Sequence, residues 1–160
     1  ELARGLEVHE AEEVDLREFI DGIIANYRQP DTVIDWEPQS YCPVSIDTMA
    51  MQRVLINLFD NAIRYGGNKP VTVRCCRDSG ATVIRVLDRG EGIPESEREA
   101  VFRPFHRLET SRSRRTGGSG LGLAIARQLS DARGWSIELL PREGGGTEAR
   151  LRIPVAATAP

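Results

Sequence analysis

The stretch NLFDNAIRYGG, Asn57 to Gly67, decides how the rest of the chain is read. Its apolar residues recur at helical spacing and its paired glycines supply a stop, yet it also carries Asn57, Asp60, Asn61 and Arg64. Asn competes with the backbone for hydrogen bonds and is a mediocre helix former, so two of them one turn apart need a reason. At about 100° per residue, Arg53, Asn57, Asp60, Asn61 and Arg64 share about 100° of arc. Met51, Val54, Leu55, Leu58 and Ala62 cover one flank, and Ile56, Phe59 and Ile63 the other. A surface helix has a broad polar face instead. A narrow stripe of amides and charges suits a polar ligand lying along the helix. Amide oxygens suit a hard cation such as Mg²⁺, which keeps few protein ligands beside phosphate and water. A half-exposed helix with chance polar residues would read the same way.

Working outward, Asp47 is placed to cap this helix and Gly66-Gly67 to end it. Upstream, VDLREFIDGIIANYRQ spaces Leu16, Phe19, Ile20, Ile23, Ile24 and Tyr27 as an amphipathic helix, followed by Pro30. TVIDWEP and PVSID read as short strands. Downstream, VTVRCCRDSGATVIRVLDRG is a hairpin turning through Asp78-Ser79-Gly80. PESEREAVF reads as a short helix, HRLETSRSRRTGGSG as a long polar loop, and LGLAIARQLSDARG as a helix closed by Gly134. WSIELLPREGGGTEARLRIPV is a second hairpin. Residues 1–13 read as a charged linker, 14–155 as one domain and 156–160 as a tail. About three main helices and at least five strands predict an α/β sandwich, one mixed sheet with helices on one face.

Two further motifs carry possible chemistry. In VLDRGEGIP a strand of buried type ends in Asp88, with Gly90 and Gly92 spaced beyond it. An acid there can accept a hydrogen bond from an exocyclic amine such as adenine's, and glycine lets a ligand approach the backbone. A plain turn has the same pattern. In TGGSGLGLAIARQL, Gly117, Gly118, Gly120 and Gly122 lead into a helix. A glycine-rich helix start can hold phosphate with backbone N–H groups, but this one lacks both the Walker A and the dinucleotide pattern. Arg112, Arg114 and Arg115 are cations available to phosphate or simply to water.

Composition excludes several alternatives. In 160 residues, 40% hydrophobic and 28% charged, the balance is that of a globular domain. A net charge of −3 gives no support for nucleic-acid binding. No apolar run approaches the roughly 20 residues of a membrane span. Cys42, Cys75 and Cys76 lack the spacing of a zinc site or a disulfide framework and read as structural residues of a reducing compartment. Cys75 and Cys76, adjacent in a strand, should face opposite ways.

Taken in order, the motifs resemble those of bacterial sensor histidine kinases. NLFDNAIRYG resembles their N box, DRGEGIP their G1 box, VFRPFHRLE their F box and GGSGLGLAIA their G2 box. GGGTEARLRIP is similar to their closing hairpin. The resemblance covers roughly residues 12–155 and is nearest the osmosensor type. It implies the GHKL-type ATP-binding fold: α+β, a two-layer sandwich of a mixed, mostly antiparallel sheet with about three helices on one face. It also implies ATP and Mg²⁺ as ligands. By that resemblance Asn61 is a Mg²⁺ ligand, with Asn57 beside the triphosphate and sharing the metal. Arg64, where the family usually has Lys, contacts phosphate, and Tyr65 lies near phosphate or ribose. Asp88 accepts from the adenine amino group, with Gly90, Gly92, Ile93 and Thr147 around the base. Phe102 and Phe105 anchor a lid running from about His106 to Ser119. Gly118, Ser119, Gly120 and Gly122 surround the phosphates, and Leu121 and Leu123 pack the helix start.

Position 57 carries a mechanistic expectation. Hydrolysing relatives place Glu there as general base, and Asn cannot take a proton at neutral pH. The resemblance therefore implies slow hydrolysis and transfer of the γ-phosphoryl to another nucleophile, with Asn57 and Arg64 as catalytic residues. That nucleophile is a His on a separate helical dimerisation domain, for relay to a response-regulator Asp. His9 and His106 lack the sequence context of such an acceptor. The expected fragment is a monomer cut from a homodimeric parent, cytoplasmic, with the parent in the bacterial inner membrane. An anti-sigma-type serine kinase of the same fold and a nucleotide-free interaction module are the alternatives. The F box and long lid argue against the first, and Asn61, Asp88 and the glycines against the second.

Overall fold

The computed structural model describes residues 7–27, 33–38, 41–106 and 120–154. The chain runs β1 (Glu12–Asp15), α1 (Leu16–Ile24), a 3-10 turn (Ala25–Tyr27), β2 (Ile34–Pro38), β3 (Pro43–Ile46) and α2 (Thr48–Tyr65). It continues through β4 (Val71–Asp78), β5 (Ala81–Leu87), 3-10 turns at Glu95–Glu97 and Ala100–Phe102, α3 (Gly122–Asp131), β6 (Ser136–Pro141) and β7 (Thr147–Pro154). β1 and β3 form a small antiparallel pair. The main sheet has the order β2-β4-β5-β7-β6, with β2 and β4 parallel and the other neighbours antiparallel. The expected α+β sandwich is present.

Period-two alternation sorts the two faces of the main sheet. Val71, Val73 and Cys75 of β4, Ile84 and Val86 of β5, Ile137 and Leu139 of β6, and Leu151 and Ile153 of β7 face the helices. They meet Leu16 and Ile20 of α1, Met51, Leu55, Leu58 and Phe59 of α2, and Ala126 and Leu129 of α3. Each fully buried Leu, Ile or Phe contributes roughly 1.5–3 kcal/mol before ordering entropy is subtracted. The opposite face is ionic. Glu37, Arg74, Arg85, Arg150 and Glu138 stand side by side, one per strand, across the sheet. Three adjacent guanidiniums repel, and acids interleave them. Glu37 holds Arg74 at 2.9 Å, while Glu148 holds Arg150 at 2.8 Å and Arg85 at 3.4 Å.

Asp47 caps α2 as expected, accepting from the Ala50 N–H at 3.1 Å. Its second oxygen accepts from the His9 N–H at 3.0 Å and from Arg133 Nε at 2.8 Å. Both members of the Asp47–Arg133 pair are 4% exposed. Arg133 also donates to the carbonyls of Leu129 and Glu7. One buried ion pair thus ties the start of α2, the end of α3 and the segment from Glu7 to His9 together.

Some local expectations shift. Glu12 and Glu13 were expected in a linker but pair with Ile46 and Ser45 in β1, a tertiary pairing that acidic composition hides. The helix expected over PESEREAVF is two 3-10 turns, with bonds from Arg98 N–H to Glu95 O and from Phe102 N–H to Glu99 O. Neither turn has a side-chain cap, and burying Val101 and Phe102 bends the segment into the core. Ser79 and Gly80 both take positive φ, 51° and 77°, giving the tight hairpin between β4 and β5. Cys75 is buried and Cys76 half-buried, on opposite faces as expected.

Candidate functional site

α2 buries Met51, Val54, Leu55, Leu58, Phe59 and Ala62 against the sheet and α3. That orientation leaves Asn57, Asp60, Asn61, Arg64 and Tyr65 half-buried along one side. They line a cavity of about 210 Å³ with Ile93, Val101, His106, Gly120, Leu121, Gly122, Leu123 and Ile125. The space would hold several ordered waters or the polar part of a ligand. The polar stripe of the opening stretch is therefore one wall of a site.

The facing wall is the start of α3. Leu121 occupies its N-cap position and supplies no side-chain cap. The first N–H groups of a helix lack intrahelical partners, and with the helix dipole they attract anions. A Cβ added to Gly122 would lie 3.5 Å from Asn57 Oδ1, so the amide and the helix start adjoin. Among the described residues there is no group of three or more His, Cys, Asp or Glu side chains able to hold a metal. A cation in this cavity would depend on the Asn57 and Asn61 amide oxygens, on ligand oxygens and on water, a donor set that fits Mg²⁺.

Asp88 heads an adjoining cluster. It is 6% exposed, and its Oδ1 accepts from the Gly90 N–H at 2.9 Å and the Thr147 N–H at 3.2 Å. Its own N–H donates to Thr147 O at 2.9 Å, locking the end of β5 to the start of β7. Burial pushes the carboxyl above its usual value of 3.8, opposed by those two N–H groups and by Arg142. Both bonds end on Oδ1. Two glycines here answer to space. A Cβ at Gly90 would lie 2.0 Å from Tyr65 O, and one at Gly146 would lie 2.1 Å from Asp88 O. The first of these contacts joins the Asp88 cluster to the end of α2.

Of the expected residues, Asn57, Asn61, Arg64, Tyr65, Ile93, Gly120, Leu121, Gly122 and Leu123 line the cavity. Asp88, Gly90, Gly92 and Thr147 sit together beside it. Phe105 does not enter. Its side chain is 70% exposed, and its contribution is a backbone N–H donated to Gly120 O at 2.8 Å. Phe102 is buried, with the Arg127 guanidinium 3.7 Å from its ring centre. Gly117, Gly118, Ser119, Arg112, Arg114 and Arg115 lie outside the described residues, as does most of the expected lid.

Sequence reading missed four contributors. Asp60 lines the cavity and accepts from the Tyr27 hydroxyl at 2.8 Å. Its place on the stripe was visible, but Tyr27, 33 residues away, was not. Burial first, then the Asp60 bond, pushes the Tyr27 hydroxyl above its usual range. His106 lines the cavity with Nε2 2.9 Å from Glu97 Oε1. Val101 and Ile125 supply apolar wall.

Comparison with known proteins agrees with this geometry. Residues 46–157 match the family model for histidine kinase-, DNA gyrase B- and HSP90-like ATPases. The sensor protein CutS of Streptomyces coelicolor is 40% identical over 107 residues, covering 66% of this chain and 26% of CutS. The sensor histidine kinase MtrB of Mycolicibacterium paratuberculosis is 34% identical over 149 residues, covering 90% of this chain and 26% of MtrB. The chain thus spans about a quarter of the length of these curated relatives. The solved structure of the mycobacterial sensor histidine kinase MprB superposes with a TM-score of 0.76 at 29% identity, over 90% of this chain and 97% of that one. The chain belongs to the histidine kinase-, DNA gyrase B- and HSP90-like ATPase family.

Proposed function

We propose that this domain binds Mg-ATP between α2 and α3 and passes the γ-phosphoryl to a His on a separate helical dimerisation domain, for relay to a response-regulator Asp. The observation that carries the reading is the pairing of two walls. Half-buried Asn57, Asn61 and Arg64 line the same cavity as the start of α3. Amides suit a hydrated cation, and the helix start and guanidinium suit phosphate. Asp88, held through Oδ1, would accept a hydrogen bond from the adenine amino group. Gly90, Gly92, Ile93 and Thr147 frame the base. Tyr65, Gly120 and Leu121–Leu123 border the phosphates.

Asn57 and Asn61 would hold Mg²⁺, which when bound neutralises phosphate charge. Arg64 adds a cation in a planar geometry that Lys lacks. Asn57 has no basic atom with which to activate water at neutral pH, so the bound triphosphate awaits a better nucleophile. Catalysis then consists of positioning and charge neutralisation. The His106 ring meets Glu97, and neither His9 nor His106 has the sequence context of a phosphoacceptor. The acceptor therefore comes from outside, on a homodimeric parent anchored in the inner membrane with this domain in the cytoplasm. The catalytic domain includes β1, from Glu12 onward.

Calorimetric titration with a non-hydrolysable ATP analogue tests the first half of the proposal. Binding should require Mg²⁺ for full affinity and weaken at least tenfold in Asn61→Ala. Absence of binding at millimolar nucleotide overturns it. Labelled ATP with the helical domain added in trans tests the second half. Label should appear on its His as an acid-labile phosphoramidate, and alkali-labile label on serine would overturn that assignment.

A further inference from the structure

Two buried cysteines lie in contact outside the site. Cys42 stands just ahead of β3, its N–H donating to Asp15 Oδ1 at 3.0 Å and its carbonyl accepting from the Leu16 N–H at 2.7 Å. Its backbone is thereby fixed where β1 passes into α1. Cys75 lies on β4, on the core face of the main sheet. The two Sγ atoms are 3.9 Å apart, with the Cys75 S–H donating toward Cys42, and both thiols are free. A disulfide needs about 2.05 Å between sulfurs. Closing that gap calls for side-chain rotation between strands already packed together. Cys76 points to the other face and is half-buried, so it is set apart from the pair.

We propose that Cys42 and Cys75 form an intramolecular disulfide when the protein meets a two-electron oxidant such as hydrogen peroxide. The bond would staple the small sheet to the main one and enclose α2, with Asn57 and Asn61, inside the cross-linked loop. Both thiols are buried, and either can react first. With Cys42 leading, its sulfur attacks one peroxide oxygen, the O–O bond breaks, the departing hydroxide takes the Cys42 thiol proton and leaves as water, and a sulfenic acid forms. The Cys75 sulfur then attacks the Cys42 sulfur. The S–S bond forms as the S–O bond breaks, and the departing hydroxide takes the Cys75 proton. Two thiols and one peroxide give one disulfide and two waters. Burial, with Cys42 close by, pushes the Cys75 thiol above its usual range, which slows its attack on the sulfenic acid. Thiol reductants reverse it, as befits a transient bond in a reducing compartment.

The test is peroxide treatment of the whole chain, with catalase quench, intact mass and non-reducing peptide mapping. The intact mass should fall by about 2 Da as two hydrogens are lost. The segments bearing Cys42 and Cys75 should be joined, and denatured thiol counts should fall from three to one. The unfolding temperature should rise by roughly 5 °C or more and return with dithiothreitol. Cys76→Ser should keep every change and Cys42→Ala should abolish them. Gain of oxygen mass with Cys42 and Cys75 still alkylatable would overturn the proposal. So would the same mass loss in Cys42→Ala, or its absence in Cys76→Ser, since either makes Cys76 a member of the pair. If Cys42→Ala fails to fold, the peptide map of Cys76→Ser decides alone.

Discussion

At the scale of single residues, Asn57 and Asp88 carry opposite lessons. An amide at position 57 predicts a poor hydrolase. ATP turnover by the chain alone should stay below about one per minute, and Asn57→Ala should cut phosphoryl transfer at least 100-fold in an assay with labelled ATP. Fast hydrolysis lost in that variant would count against a transferase. Asp88→Asn leaves an acceptor for the Gly90 and Thr147 N–H groups but replaces the second carboxylate oxygen with an NH₂ that cannot accept. Affinity for an ATP analogue should fall at least tenfold by calorimetry. Stability should not fall with it. The carboxyl is shifted above 3.8 by burial, so its favourable contribution exists only at acid pH and is lost as pH rises through the folded value. Above the folded value the buried charge is a net cost, and there the Asp88→Asn variant should unfold at the same or a slightly higher temperature. Gly90→Ala places a methyl 2.0 Å from Tyr65 O and should destabilise by about 2–3 kcal/mol in urea titration, loosening the site with it. The stripe and the spaced glycines were legible in the sequence because helical angle and turn chemistry are local. The partners of Asp88 were not, since Thr147 reaches it from 59 residues away.

At the scale of elements, α2 depends on its ends. Asp47 is pushed up by burial, but the His9 and Ala50 N–H groups and Arg133 together pull it below 3.8. A lowered carboxyl stabilises the fold above its ordinary value and ceases to do so as pH falls through the folded one. Asp47→Ala should therefore cost about 3 kcal/mol at pH 7, since it removes a cap and strands the buried Arg133. The deficit should shrink below about pH 3.8, as followed by urea midpoints across pH. The cap itself could be read from Asp47 and the helical run behind it. Its ion pair could not, because it joins residues 86 apart. The same limit explains the segment 95–102. Its composition permits a helix, and only the burial of Val101 and Phe102 beside the cavity breaks it into two turns.

At the scale of the whole molecule, strand and helix order fixed the class before any coordinates, while β1 escaped notice because acidic residues seldom announce a strand. The ionic face was equally hidden. Arginines at 74, 85 and 150 look scattered until register aligns them. Glu148→Gln should cost about 1–2 kcal/mol by removing the acid between two of them, and raised salt should narrow the difference. That row ends on the outermost strands. β2 and β6 each carry one of its acids, Glu37 and Glu138, and each finishes in proline, Pro38 and Pro141. An unpaired strand edge is a template for aggregation, and a charge in mid-strand with a residue that cannot donate a ladder bond blunts it. The charged row therefore also terminates the sheet, keeping concentrated domains from growing edge to edge into fibres.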